Sequence, residues 1–323
     1  MPEVLVATPL DYFKVSKPYQ FAGGVEIREI SAILWEEAIV QRFISEYERE
    51  GLAETTYWLC ATKEVPIAFA DESDGLYDAC RRAMYALQII CPSGGRNVYL
   101  KFQRTPNGYA NMDSQHPKKM NNTLLGRLAS AEDQGLAQDF DRVYAGVKRA
   151  FEEKLVRLQN PVLLLEHALQ IGTVELGTLM SVMALDMLFM AGEKQPFVKR
   201  LGGFLGPQSR VFPRTSILRN RPIVQVEEVL SHLYEFRNVI AHGQEVPSEP
   251  YRQKYDLKDD RDGRINAEDY YHAELMLEAG IFMLAQALRQ VFVEDLFDDI
   301  SDQTAWRSKL RLYENRYRSA ATL

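Results

Sequence analysis

The sequence predicts a mainly α protein in two parts: an N-terminal α+β domain over residues 1–155 and a helical domain over residues 156–323. Three observations lead there. Strand-like alternation is confined to two short stretches before residue 105, whereas from residue 136 onward apolar residues recur at helical steps of three and four. A chain of 323 residues is long enough for two cores. A composition of 46% hydrophobic and 26% charged residues is that of an ordered, globular chain.

The first element, MPEVLVATPLDYF, lacks the basic start and long apolar run of a signal peptide. Val25-Glu26-Ile27-Arg28-Glu29-Ile30 alternates as a half-buried strand does, and Asn97 to Gln103 (NVYLKFQ) alternates likewise. Residues 35–50 and 75–90 have helical spacing, the latter through Leu76, Ala79, Ala83 and Leu87. Residues 105–122 are polar and rich in turn formers, which predicts an exposed loop. A helix over about 136–159 leads into the second domain. Leu176 to Gly192 (LGTLMSVMALDMLFMAG) is apolar except for Asp186, yet too polar and short to read as a membrane span, and nothing else in the sequence reaches the length of a clean one. Between Lys194 and Val226 no acidic residue occurs, while Lys194, Lys199, Arg200, Arg210, Arg214, Arg219 and Arg221 supply positive charge. Gly202, Gly203, Gly206, Pro207, Pro213 and Pro222 make much of that stretch a predicted basic loop. Val226, Leu230, Leu233, Arg237 and Ile240 then mark one face of a helix. Lys258 to Asp269 imitates a calcium loop but places Lys258 where the first carboxylate belongs. An Asp-Gly turn followed by a helix capped at Asn266, closing the bundle through Leu275, Ile281 and Leu288, is the better reading.

Composition and motif content narrow the chemistry. Cys60, Cys80 and Cys91 have neither metal-ligand spacing nor an even count, which predicts buried, inert thiols in a reducing cytoplasm. Gly23-Gly24 and Gly94-Gly95 are turn pairs without phosphate-loop spacing, and no Gly-x-Ser-x-Gly elbow or His-Glu-x-x-His helix occurs. His116, His167 and His232 are scattered as loop, surface or packed residues, so no metal and no cofactor is expected. A net charge of −7 argues against a general nucleic-acid binder, but a basic loop can gather a polyanion locally.

One run concentrates the functional signal: Arg237-Asn238-Val239-Ile240-Ala241-His242-Gly243. An arginine, with an amide beside it, clamps an anion, and a histidine moves a proton near neutral pH. Gly243 stops the helix and places His242 at its end. Arg237 lies on the inward stripe and needs compensation. Asp186, a lone carboxylate on an apolar helix, is the economical partner, which predicts a buried ion pair worth roughly 3–5 kcal/mol when one member is removed. The same residues also admit a purely structural role, an ion pair and a helix end in an inert bundle.

This run resembles the HEPN family, and its Apea-like subgroup in particular, where an arginine, a polar residue, a short spacer and a histidine close a helix. Ala184-Leu185-Asp186-Met187-Leu188, followed by Lys199-Arg200-Leu201, is similar to that subgroup's acidic helix and its basic continuation, with Asp where Glu is common. The similarity covers roughly residues 160–292. It implies an HEPN-like helical bundle that dimerises, with paired motifs across a cleft. The implied activity is that of a metal-independent endoribonuclease of prokaryotic defence or toxin–antitoxin type: Arg237, Asn238, His242 and Asp186 form the site, and the ribose 2′-hydroxyl attacks the phosphodiester. RNA held by Lys199, Arg200, Arg210, Arg214, Arg219 and Arg221, a second copy of the chain, and a protein regulator or antitoxin are the implied partners, with no membrane. Non-catalytic members that bind RNA or proteins supply the alternative.

Overall fold

The structure is a computed structural model that describes residues 3–10, 13–29, 55–64, 74–93, 98–105, 108–115, 131–171, 173–211, 225–243 and 267–320. The chain divides into two compact units, Met1–Asn121 with Gly126–Lys148, and Asn122–Leu125 with Arg149–Leu323.

The first unit is built on an antiparallel sheet: β1 (Glu3–Pro9), β2 (Tyr19–Gln20), β3 (Val25–Glu29), β4 (Tyr57–Glu64), β5 (Tyr99–Thr105) and β6 (Gly108–Gln115), in the order β2-β3-β4-β1-β5-β6. Strand β1 is central, pairing Val6 with Ala61 on one side and with Lys101 on the other. Alternation along the strands sends two sets of side chains to opposite faces. Leu5, Ala7, Trp58, Cys60, Leu100 and Phe102 form one buried cluster. Val4, Val6, Ala61 and Tyr99 form the other, against Leu76, Tyr77 and Cys80 of α1 (Asp74–Ile90).

The expected strand at 25–30 is β3, that at 97–103 is β5, and the helix at 75–90 is α1; the helix expected at 35–50 lies outside the described residues. Residues 108–115 depart from the predicted loop. They form β6, with Thr105 opposite Gly108 and Tyr99 opposite Gln115. An edge strand takes its order from its neighbour's backbone hydrogen bonds, so GYANMDSQ needs neither alternation nor strong β-formers.

The helix expected over 136–159 is two helices, α2 (Leu136–Glu152) and α3 (Val156–Gln170). The chain turns at Lys154, which is left-handed at φ 53°, while the Leu155 amide donates to the Ala150 carbonyl at 2.9 Å. That is a Schellman ending in which lysine stands where glycine is usual, so no glycine or proline announces the break. Within the first unit, Phe140 of α2 stacks on Phe21 at 3.9 Å, and Asp141 accepts the Ala22 amide at 2.8 Å.

The second unit continues from α3 with α4 (Val174–Phe189), α5 (Lys194–Leu205), α6 (Val226–Ala241), α7 (Ala267–Val293), α8 (Phe297–Ser301) and α9 (Gln303–Ala320). Helix α7 runs against α3, α4 and α6, with Leu277, Ile281, Met283, Leu284 and Leu288 fully buried. Its segment Met276–Val293 is long and apolar enough to cross a membrane, contrary to the expectation that nothing in the chain is, yet most of it is buried inside this unit. It begins one residue after the predicted Asn266 cap; the calcium-loop imitation before it lies outside the described residues.

The first third of the predicted basic loop is instead α5, and its two glycines are there for close approach. A Cβ on Gly203 would sit 1.9 Å from the Tyr313 carbonyl oxygen of α9, and one on Gly202 would sit 2.8 Å from the Tyr317 ring. The glycines therefore let two helix backbones meet, and the cost of glycine within a helix, about 1 kcal/mol each, is offset by that contact. Gly203→Ala is expected to destabilise the helical unit by about 3 kcal/mol, the upper range for overpacking, and to lower Tm by roughly 6–12 °C. Gly75→Ala, at a position with open space, is expected to leave Tm unchanged in the same calorimetric experiment.

The three cysteines are buried thiols outside any disulfide, as expected. Burial pushes the Cys60 and Cys91 thiols up to about 12 and Cys80 well above its ordinary value. Raised folded-state values favour the neutral thiol. Their contribution to stability is therefore complete below the unfolded value near 9 and is lost as pH rises from there through about 12. Native protein at pH 8 is expected to react with a bulky thiol reagent at none of the three, and denatured protein at all three. Unfolding free energy should decline as the pH is taken above 9. Rapid native labelling would show that the thiols are accessible.

Candidate functional site

The helix that carries the arginine–histidine run is anchored by its apolar face. Val226, Val229, Leu230, Leu233 and Phe236 are buried, and Tyr234 nearly so. One turn further, Arg237 and Ile240 on the predicted stripe are half-buried, as is Asn238. The helix ends at Ala241. His242 is the next residue and is exposed; its amide still donates to the Asn238 carbonyl at 3.0 Å. Gly243 follows at φ 65°, the left-handed conformation that stops the helix.

Arg237 and Asp186 do not form the expected ion pair: among the described residues no carboxylate oxygen lies within 4.0 Å of the Arg237 guanidinium. Arg237 Nη1 donates to the Asn238 amide oxygen at 2.8 Å, and the guanidinium carbon lies 5.4 Å from the centre of the Tyr234 ring. Its Nε is buried and, among the described residues, makes no hydrogen bond.

Asp186 finds its partner on its own helix end instead. Its Oδ1 accepts the Gly192 amide at 2.7 Å, while its backbone carbonyl accepts from Ala191 at 3.3 Å. Met190, left-handed at φ 49°, makes that turn. A carboxylate of intermediate exposure with a backbone donor needs no buried cation, which is why the pairing argued from charge alone fails.

Tyr234 stands between the two charges. Its hydroxyl donates to the Gly192 carbonyl at 3.0 Å, from the residue whose amide Asp186 accepts. Burial, then Asp186 and Glu193, raise its phenol above the ordinary value, and Arg237 opposes them. The acid and the arginine are thus linked through Gly192 and Tyr234. Tyr234 was legible in the sequence as the residue three before Arg237, on the same helix face; Gly192 was not.

The residues expected to bind RNA separate into several situations. Arg200 is structural: Nε donates to Glu314 Oε1 of α9 at 2.7 Å, and Nη1 to the Phe189 and Met190 carbonyls at the end of α4. Lys194 pairs with Glu235, and Lys199 donates to Gln195 at 2.8 Å. Arg210 is exposed in a short bridge with Gln225. Arg214, Arg219 and Arg221 lie outside the described residues. His167 is exposed and His232 lies 3.7 Å from Glu235, while His116 is outside the described residues. Among the described residues no group of three or more His, Cys, Asp and Glu side chains converges to hold a metal.

What remains is a half-buried guanidinium with no carboxylate, an amide bonded to it, and an exposed histidine at the helix end. The set can donate hydrogen bonds to an anion and exchange a proton beside it. Comparison of the chain with protein-family models, with curated proteins and with solved structures returns no match.

Because Asp186 and Arg237 act on different partners, their substitutions should be nearly additive. Asp186→Ala is expected to cost about 1 kcal/mol, one net hydrogen bond. In a denaturant-unfolding double-mutant cycle, its coupling to Arg237→Ala should stay below about 0.5 kcal/mol. A coupling of about 2 kcal/mol or more would restore the direct pair.

Proposed function

We propose that this protein is a metal-independent endoribonuclease of the HEPN type. Arg237 stabilises charge on the scissile phosphate, Asn238 holds the guanidinium, and His242 moves the proton of the ribose 2′-hydroxyl. One observation carries the reading. Arg237 is half-buried but lacks a carboxylate partner among the described residues, so the guanidinium is not consumed by a structural ion pair. A desolvated cation of that kind gains most from an anionic ligand. His242, exposed on the adjoining turn, has access to solvent and substrate.

The reaction needs little else from the chain. The 2′-hydroxyl loses its proton to a base and attacks phosphorus; the 5′-oxygen of the next nucleotide leaves and takes up a proton. The products are a 2′,3′-cyclic phosphate and a 5′-hydroxyl. One imidazole cannot act as base and acid in the same step, so a second chain supplying its own His242 fits this chemistry. Asp186 has a positioning part at most, through Gly192 and Tyr234. The setting follows from the resemblance alone: a cytoplasmic defence or toxin–antitoxin protein held in check by a regulator.

A second reading, an RNA-binding or protein-interaction module without catalysis, is favoured by the His242 ring. Among the described residues it makes no hydrogen bond or ion pair, whereas a catalytic imidazole is commonly oriented by a second group.

Purified protein with labelled RNA decides between them. Wild type is expected to cleave in excess chelator and leave cyclic phosphate ends. His242→Ala and Arg237→Ala should each cut slower by roughly 10²–10⁴-fold while remaining folded by circular dichroism. RNA binding without cleavage in wild type supports the module. Cleavage that His242→Ala retains in full, or that requires magnesium or manganese, overturns the assigned chemistry.

A further inference from the structure

The last helix carries a feature that the basic stretch before the motif helix does not. Helix α9 contains Arg307, Lys309, Arg311, Arg316 and Arg318 against a single acid, Glu314, which Arg200 occupies. The chain as a whole is acidic at −7, so this helix is a local reversal of sign. Its inward face is Trp306 and Leu310, both fully buried, with Tyr313 and Tyr317 beside them. At 100° per residue, Arg307, Arg311 and Arg318 fall on one narrow stripe away from that face, and all three are exposed. Lys309 lies elsewhere on the helix, paired with Asp299. Arg307 and Arg311 have no carboxylate partner among the described residues.

We infer that the Arg307–Arg311–Arg318 face of α9 is a docking surface for the phosphate backbone of single-stranded RNA. The inference rests on the ribonuclease reading for the identity of its ligand and names the surface that holds it. Charge complementarity is the argument. Arg307 and Arg311 are separated by about 6 Å of helix rise and Arg311 and Arg318 by about 10 Å, a row of planar donors along which a polyanion can run. A membrane fits less well. An interfacial helix needs an apolar face to insert, and the apolar face of α9 is already spent on Trp306 and Leu310 in the bundle. This surface replaces the role expected of Arg200, whose guanidinium is committed to Glu314 and the end of α4.

The test is fluorescence anisotropy of the full chain with a labelled, mixed-sequence single-stranded RNA whose 2′-hydroxyls are methylated, in excess chelator, so that the probe survives whichever residue acts as the base. Arg307→Gln, Arg311→Gln and Arg318→Gln are combined. All three side chains are exposed, and an unchanged thermal melt checks the fold. The triple variant is expected to bind at least tenfold more weakly. Its slope of log K against log salt should be shallower by about 1.4, roughly 0.7 for each single-strand phosphate that Arg307 and Arg311 no longer neutralise. Unchanged affinity and slope overturn the inference. So does binding of wild type to vesicles containing phosphatidylserine, or to polyglutamate, as tightly as to RNA, because either assigns the face to another class of partner. The two readings fail separately. If the triple variant loses binding while His242→Ala still cleaves, the docking surface stands and the catalytic assignment falls. If His242→Ala is inactive and the triple variant binds as before, the reverse holds.

Discussion

The C-terminal end of α4 is the constraint on which the helical unit depends. The last carbonyls of a helix have no partner within it, and here, with the carbonyl of the turn that follows, they are met by donors from other elements. Trp306 Nε1 of α9 donates to the Leu188 carbonyl at 2.7 Å. Arg200 of α5 donates to those of Phe189 and Met190, and Tyr234 of α6 to that of Gly192. Three helices therefore converge on one helix end, each through a single donor. The positive charge of Arg200 also complements the negative end of the helix dipole. Each donor is fixed by its own packing: Trp306 is fully buried and tilted against Phe189, and Tyr234 lies against Phe197.

That junction sets where the arginine–histidine run is displayed. Tyr234 is tied to Gly192, so the next turn of α6 emerges with Arg237 beside the Tyr234 ring and His242 in solvent. The same junction settles Asp186. Its carboxylate serves the amide of Gly192, and the electrostatic link to Arg237 passes through a phenol rather than an ion pair. The outcome bears on function: an arginine neutralised by a buried aspartate has little left for a phosphate, whereas one bonded only to an amide keeps its charge.

Positive charge follows a similar logic. In the chain order it crowds between Lys194 and Arg221, yet Lys194 and Arg200 are consumed by Glu235 and Glu314. Among the described residues, the arginines left exposed and without an acid include Arg307 and Arg311 on α9. A salt bridge needs two partners brought together by the fold, so a run of basic residues says how much charge is present and not how much is available.

The amino-acid sequence by itself determined what depends on local period and local chemistry. Alternation at 25–30 marked β3, helical spacing at 75–90 marked α1, and Gly243 marked the end of α6, because each signal is complete within a few residues. It also determined that the chain is mainly helical after residue 136 and that its cysteines are buried thiols. Tertiary structure decided the rest. β6 exists through its pairing with β5, not through its own residues. The break at Lys154 uses a left-handed lysine that carries no sequence mark. Gly202 and Gly203 read as loop formers until α9 is laid against them, where the absence of a side chain is what the close approach requires. The partner of Asp186 is a backbone amide six residues away, and no pattern of charges in the chain can show it, because a backbone donor is present at nearly every residue and only the turn at Met190 aims this one.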